Sequence, residues 1–108
     1  MEDKTSTGIQ QNVAGLLTYL AGFVTGIVFI IIEKENRFVR FHAMQSIFVF
    51  GFLFVVQIIL SFIPFIGWVL APIVGILGVI LWIILMLKAY KGEMYKLPVV
   101  GEMAEKQI

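Results

Sequence analysis

The chain has 108 residues, 60% of them hydrophobic and 14% charged, with a mean hydropathy of +1.00. A domain this short cannot hide so much apolar surface from water, so a soluble globular fold is excluded and a bilayer is the expected solvent. The formal charge of +1 says little as a sum, while the absence of cysteine removes disulfides and thiolate chemistry, and no basic patch suited to nucleic acid is present.

In chain order, residues 1–12 are expected to form an N-terminal extracytoplasmic tail. No charged residue occurs from Ile9 to Ile32. A helix over Val13–Ile32 would measure roughly 30 Å at ~1.5 Å per residue, the thickness of the hydrocarbon core, which predicts a first span over 13–32. A cleaved signal peptide is the competing reading. The apolar stretch exceeds the ~7 to 15 residues of a signal core, however, and Glu33-Lys34-Glu35 follows it in place of a small-residue cleavage site. Gly15, Thr18, Gly22, Thr25 and Gly26 recur at helical spacing, with Gly22 and Gly26 as a GxxxG pair, and predict a close-packing face.

Next comes EKENRFVRFHAMQS, Glu33 to Ser46, which gathers much of the polar chemistry of the chain. Lys34, Arg37 and Arg40 are expected at the membrane surface, as anchors or as contacts to lipid headgroups. His42, Gln45 and Ser46 lie close together on a helix and make a polar patch that is costly to turn toward lipid. His42 is expected to bond to Glu33, Glu35 or the C-terminal tail. A single histidine without companion ligands predicts no metal site, and no cofactor is implied.

From Phe41 to Leu87 the only ionisable side chain is His42. One straight helix of that length would reach roughly 70 Å, so the chain must fold back. SFIPFIGW marks the place, because Pro64 lacks an amide donor and Gly67 relaxes the backbone. Spans over 41–61 and 67–87 then form a helical hairpin. Gln57 in the second span needs a partner and is expected to face another helix, or water lining a pore. Ala71, Gly75 and Gly78 offer a small surface in the third. After it, residues 88–108 form a tail in which Lys88 and Lys91 suit headgroups and Tyr90 and Tyr95 the interface. Lys34, Arg37, Arg40, Lys88, Lys91, Lys96 and Lys106 against Lys4 alone predict a cytoplasmic C-terminus and an N-terminus outside.

The expected fold is therefore all-α, an integral membrane protein with three transmembrane helices. NVAGLLTYLAGF, EKENRFVRFHAMQSI and KAYKGEMYKLPVVGEM together resemble the small prokaryotic membrane proteins described as similar to the twenty-kilodalton component of the chloroplast inner-envelope import machinery. The resemblance covers nearly the whole chain and is most specific at Phe41–Ser46 and Lys91–Pro98. It implies a multi-span helical protein of a prokaryotic cell membrane, acting in transport or as a translocon-like component, and supplies no catalytic site.

On the residues themselves an enzyme is not expected, since no acidic residue lies inside a span and no nucleophile–base pair can be assembled. Two functions remain. One is a scaffold or accessory subunit that packs against other membrane proteins or copies of itself. The other is an oligomeric channel, with His42, Ser46 and Gln57 facing the lumen.

Overall fold

The computed structural model describes residues 5–108, so Lys4 of the charge count lies outside the described residues. Every regular element in the described part is helical: α1 (Gln11–Leu20), α2 (Phe23–Ile32), α3 (Arg37–Ser61), α4 (Ile66–Tyr90) and α5 (Val100–Lys106). The molecule is 51 Å long and 22 Å across.

Helices α3 and α4 are the two that are long and apolar enough to cross a membrane. The Asn36 side chain caps the start of α3 by accepting a hydrogen bond from the Val39 amide at 2.9 Å, which sets the helix start before Phe41. Ser61 ends it, and the turn at Pro64 reverses the chain as the sequence predicts. Phe65 stands there at φ +63°, with the Ile66 amide bonded to the Pro64 carbonyl at 2.7 Å. This is a γ-turn, uncommon for an L-residue. Pro72 lies inside α4 without ending it.

The predicted first span is the principal correction. A break at Ala21–Gly22 interrupts the predicted 13–32 span, and the chain forms two ten-residue helices over Gln11–Leu20 and Phe23–Ile32, each roughly 15 Å long and so about half the hydrocarbon thickness. Gly22 has φ +61° and ψ −130°, a conformation open to glycine and strained for other residues. The chain then turns back. Ala14 of α1 and Phe29 of α2 meet in one cluster with Phe38, Val39 and Ala43 of α3, which places both helix bodies at one level along α3. The tip lies further along, where Phe23 stacks near Phe54 at 5.4 Å between ring centroids.

The first apolar stretch is thus a helical hairpin of two short helices, and the fold has two helices long and apolar enough to span plus that hairpin where three spans were expected. The position of the N-terminal segment changes with it. The Ser6 amide bonds to the Glu33 carboxylate at 2.9 Å, and the Asn12 side chain donates to the Tyr90 carbonyl at 3.0 Å. Ser6, the Glu33 connection and the end of α4 therefore share one end of the molecule, whereas the charge count placed the N-terminus opposite the other two.

Apolar side chains gain little from packing against one another in lipid, so close backbone approach and hydrogen bonds must hold the hairpin down. A Cβ on Gly15 would stand 2.7 Å from the Phe38 ring, and one on Gly26 would stand 2.8 Å from the Ala43 carbonyl oxygen. Both glycines let the hairpin lie on its neighbours. The tail after α4 turns at Gly92, runs back over the head of α3, and α5 packs there with Gly101 and Ala104 buried.

Candidate functional site

The polar side chains converge in two places, the head of α3 and the tip of the hairpin. At the head of α3, Tyr19, His42 and Gln45 have no exposed surface. His42 Nε2 lies 2.8 Å from the Glu93 carbonyl oxygen, so this nitrogen carries the proton and donates. His42 Nδ1 is then the acceptor for the Tyr19 hydroxyl at 2.6 Å. Gln45 Nε2 donates to the same hydroxyl at 2.9 Å and to the Tyr95 carbonyl at 3.0 Å, while its Oε1 accepts from the Leu97 amide at 3.0 Å. A neutral imidazole satisfies every member of this network. Rings of Phe38 and Phe41 meet His42 edge-on at 4.7 and 5.2 Å and close it off.

At the hairpin tip the break frees backbone groups that lipid cannot satisfy. Trp82 Nε1 donates to the Tyr19 carbonyl at 2.6 Å, and Ser46 Oγ donates to the Gly22 carbonyl at 2.6 Å. Thr25 Oγ1 accepts from the Ala21 amide at 3.1 Å and donates to the Thr18 carbonyl at 3.2 Å. Beside the tip a groove of about 350 Å³ opens between the hairpin, α3 and α4, lined by Phe23, Phe50, Phe54, Gly75 and Trp82 among others. That is the lower end of the ~300–1,000 Å³ range of small-molecule sites. Gln57 on its wall donates to the Ala71 carbonyl at 3.1 Å across Gly75, and its buried Oε1 has no partner among the described residues.

A third cluster ties the hairpin's two ends. The Glu33 carboxylate accepts from the Ser6 amide and hydroxyl, the Thr7 amide, and the Glu35 and Asn36 amides, at 2.7 to 3.3 Å. Burial pushes this carboxyl up, but the Ser6, Asn36 and Glu35 hydrogen bonds outweigh it and bring it down to about 2. Arg40 Nη1 donates to the Ile30 and Glu33 carbonyls at 3.2 and 2.7 Å, closing the C-terminus of α2.

The predicted site residues divide accordingly. His42 and Gln45 share the first network, His42 bonding to the tail and to Tyr19 and not to Glu33 or Glu35, while Ser46 serves the hairpin tip and Gln57 stands apart in the groove. Arg40 is spent on α2. Arg37 pairs with Glu105 at 3.6 Å and Lys88 with Glu93 at 3.2 Å, and Lys34 and Lys91 are exposed. Gly75 and Gly78 pack against Gln57 and Leu53 of α3, whereas Gly22 belongs to the turn, so the GxxxG pair does not form one helical face. Tyr19, Trp82 and Glu33 were missed. Two aromatic residues in apolar helices and one acid in a charged loop carry no local signal of such long-range partners.

Residues 2–104 match the profile of a family described as the magnetosome magnetite crystal formation protein family, MamF/MmsF. The chain belongs to this family. Its relatives include a UPF0132 membrane protein of Methanocaldococcus jannaschii, 57% identical over 102 residues covering 94% of this chain and 92% of the relative. Another, from Archaeoglobus fulgidus, is 54% identical over 100 residues, covering 93% and 97%. A second M. jannaschii member is 48% identical over 99 residues, covering 92% of this chain and 71% of the relative. These descriptions name membrane proteins and magnetite crystal formation, and they bring no link to plastid import. No solved structure matches the chain.

Proposed function

We propose that this MamF/MmsF-family chain is a non-enzymatic scaffold or accessory subunit, embedded in a prokaryotic cell membrane and packed against other membrane proteins or further copies of itself. The observation that carries this reading is where its polarity goes. His42, Gln45 and Ser46 are buried and satisfied inside one chain, and α3 and α4 turn outward apolar residues such as Phe52, Phe54, Trp68, Val69 and Ile76. Such faces suit lipid and neighbouring helices, and they offer no polar lumen.

An enzymatic role lacks support for a related reason. The single histidine is engaged at both nitrogens, and no acid lies beside it in the network. The family description speaks of magnetite crystal formation, but among the described residues no three His, Cys, Asp or Glu side chains gather into a metal-binding group. For sidedness, the end that carries Lys34, Arg37, Arg40, Lys88 and Lys91 is the cytoplasmic one under the positive-inside rule, and Ser6 lies with it.

The channel reading keeps one support, the buried Gln57 Oε1, which has no partner among the described residues. Extraction into lipid nanodiscs followed by native mass measurement separates the two. A complex with another membrane protein is the expected result, and a homo-oligomer that conducts ions until Gln57→Leu silences it would favour the channel. A lone monomer that does not conduct would overturn both.

A further inference from the structure

The network at the head of α3 joins three parts of the chain that have no covalent reason to move together. Tyr19 belongs to the α1–α2 hairpin, His42 and Gln45 to a long helix, and the Glu93 carbonyl, Tyr95 carbonyl and Leu97 amide to the C-terminal segment. Gln45 reads residues 95 and 97 through one carbonyl and one amide, as a neighbouring β-strand would. The Leu97 side chain adds packing against Tyr19, Leu85 and Ala89. Behind this strap Gly92 turns at φ +83°, where a Cβ would meet nothing within 4 Å among the described residues, and the side-chain tie across the turn is the half-exposed Lys88–Glu93 ion pair at 3.2 Å, with Lys88 also over the Tyr95 ring.

We infer that the segment Glu93–Leu97 is a releasable strap, latched through Tyr19, His42 and Gln45 so that its docking and the seating of the α1–α2 hairpin are one coupled equilibrium. The physical basis is shared satisfaction. With the strap gone, Gln45 Oε1 and the His42 Nε2 proton lose their partners in a buried site, and both side chains must reorient at the expense of their bonds to the Tyr19 hydroxyl. Without that hydroxyl, His42 Nδ1 lacks its donor and Gln45 one acceptor, so the two residues that hold the strap are no longer fixed. Coupling of this kind is reciprocal. A partner that captures the C-terminal segment would thereby loosen the α1–α2 hairpin, and the reverse would hold.

Amide hydrogen exchange on the full chain in nanodiscs tests the latch from both sides. Tyr19→Phe keeps the ring and removes the hydroxyl, and should speed exchange across residues 93–106 roughly tenfold, as expected for a buried group left unpaired, while the distal half of α4 stays protected. Leu97→Pro removes the strap amide and should speed exchange in 11–32 by a similar factor. Unchanged strap exchange in the first variant, with its fold intact, overturns the proposal. Should the first variant lose protection everywhere, the second decides: a hairpin that exchanges as before overturns the latch, and a loosened hairpin beside a protected α4 supports it.

Discussion

Glu33 shows how a single residue can work against its apparent class. In the sequence it is one acid in a charged loop, but folded it accepts backbone and hydroxyl hydrogen bonds from both sides of the hairpin and has no exposed surface. Its carboxyl falls from an ordinary 4.5 to about 2, so its contribution to stability is complete above about pH 4.5 and is lost as the pH drops through 2. Glu33→Gln should lower stability at pH 7 by about 2 kcal/mol, the size of hydrogen bonds to a charged acceptor. It should also flatten the acid limb of the thermal unfolding profile. Gln57 makes the opposite case, because among the described residues its buried Oε1 has no partner and its amide nitrogen donates to a carbonyl already within a helix. Gln57→Leu should therefore leave the melting temperature in nanodiscs unchanged or raise it; a loss above about 1 kcal/mol would mean that the amide has a partner outside this chain.

Among the elements, the hairpin is the one whose form depends on others. Trp82→Phe keeps most of the ring packing but leaves the Tyr19 carbonyl with the Gly22 amide at 3.0 Å as its remaining donor, which should cost about 0.5–1.5 kcal/mol in thermal unfolding. Gly22→Ala should cost about 1–3 kcal/mol for a different reason, since a Cβ there meets only Phe50 at 3.7 Å and the penalty is the positive φ. The direction of the hairpin is open to labelling, because the chain has no native cysteine. Ser6→Cys, Lys34→Cys and Lys96→Cys should react with an impermeant maleimide from one side of the membrane, and Phe62→Cys from the other. A Ser6→Cys that reacts with Phe62→Cys and not with Lys34→Cys would restore a spanning first helix.

For the whole molecule, α3 and α4 are the two helices long and apolar enough to cross a membrane, and the connections and tails gather at one end. The termini of the described chain, the Glu33 connection and α5 all meet around the head of α3, while the Pro64 turn stands alone at the far end without a charged side chain. The second apolar stretch, its reversal at Pro64 and the basic end were legible in the sequence, because span length, proline chemistry and charge placement are local quantities. Part of the candidate site was legible too. His42, Gln45 and Ser46 were grouped by helical spacing, but their division between a strap latch and a hairpin tip depends on Tyr19, Gly22 and a tail far away in the chain.

Hydropathy by itself determined that the chain lives in a membrane and that residues 41–87 fold as two long helices, since no other arrangement satisfies so long an apolar backbone in lipid. It could not decide what residues 13–32 do. Twenty apolar residues suit one full crossing or two half-crossings equally well by length and transfer energy. The balance rests on whether the carbonyls opened at Gly22 find donors within the bilayer. Trp82, Ser46 and Thr25 provide hydrogen bonds at that break, two of them from helices remote in sequence, and only the tertiary structure brings them there.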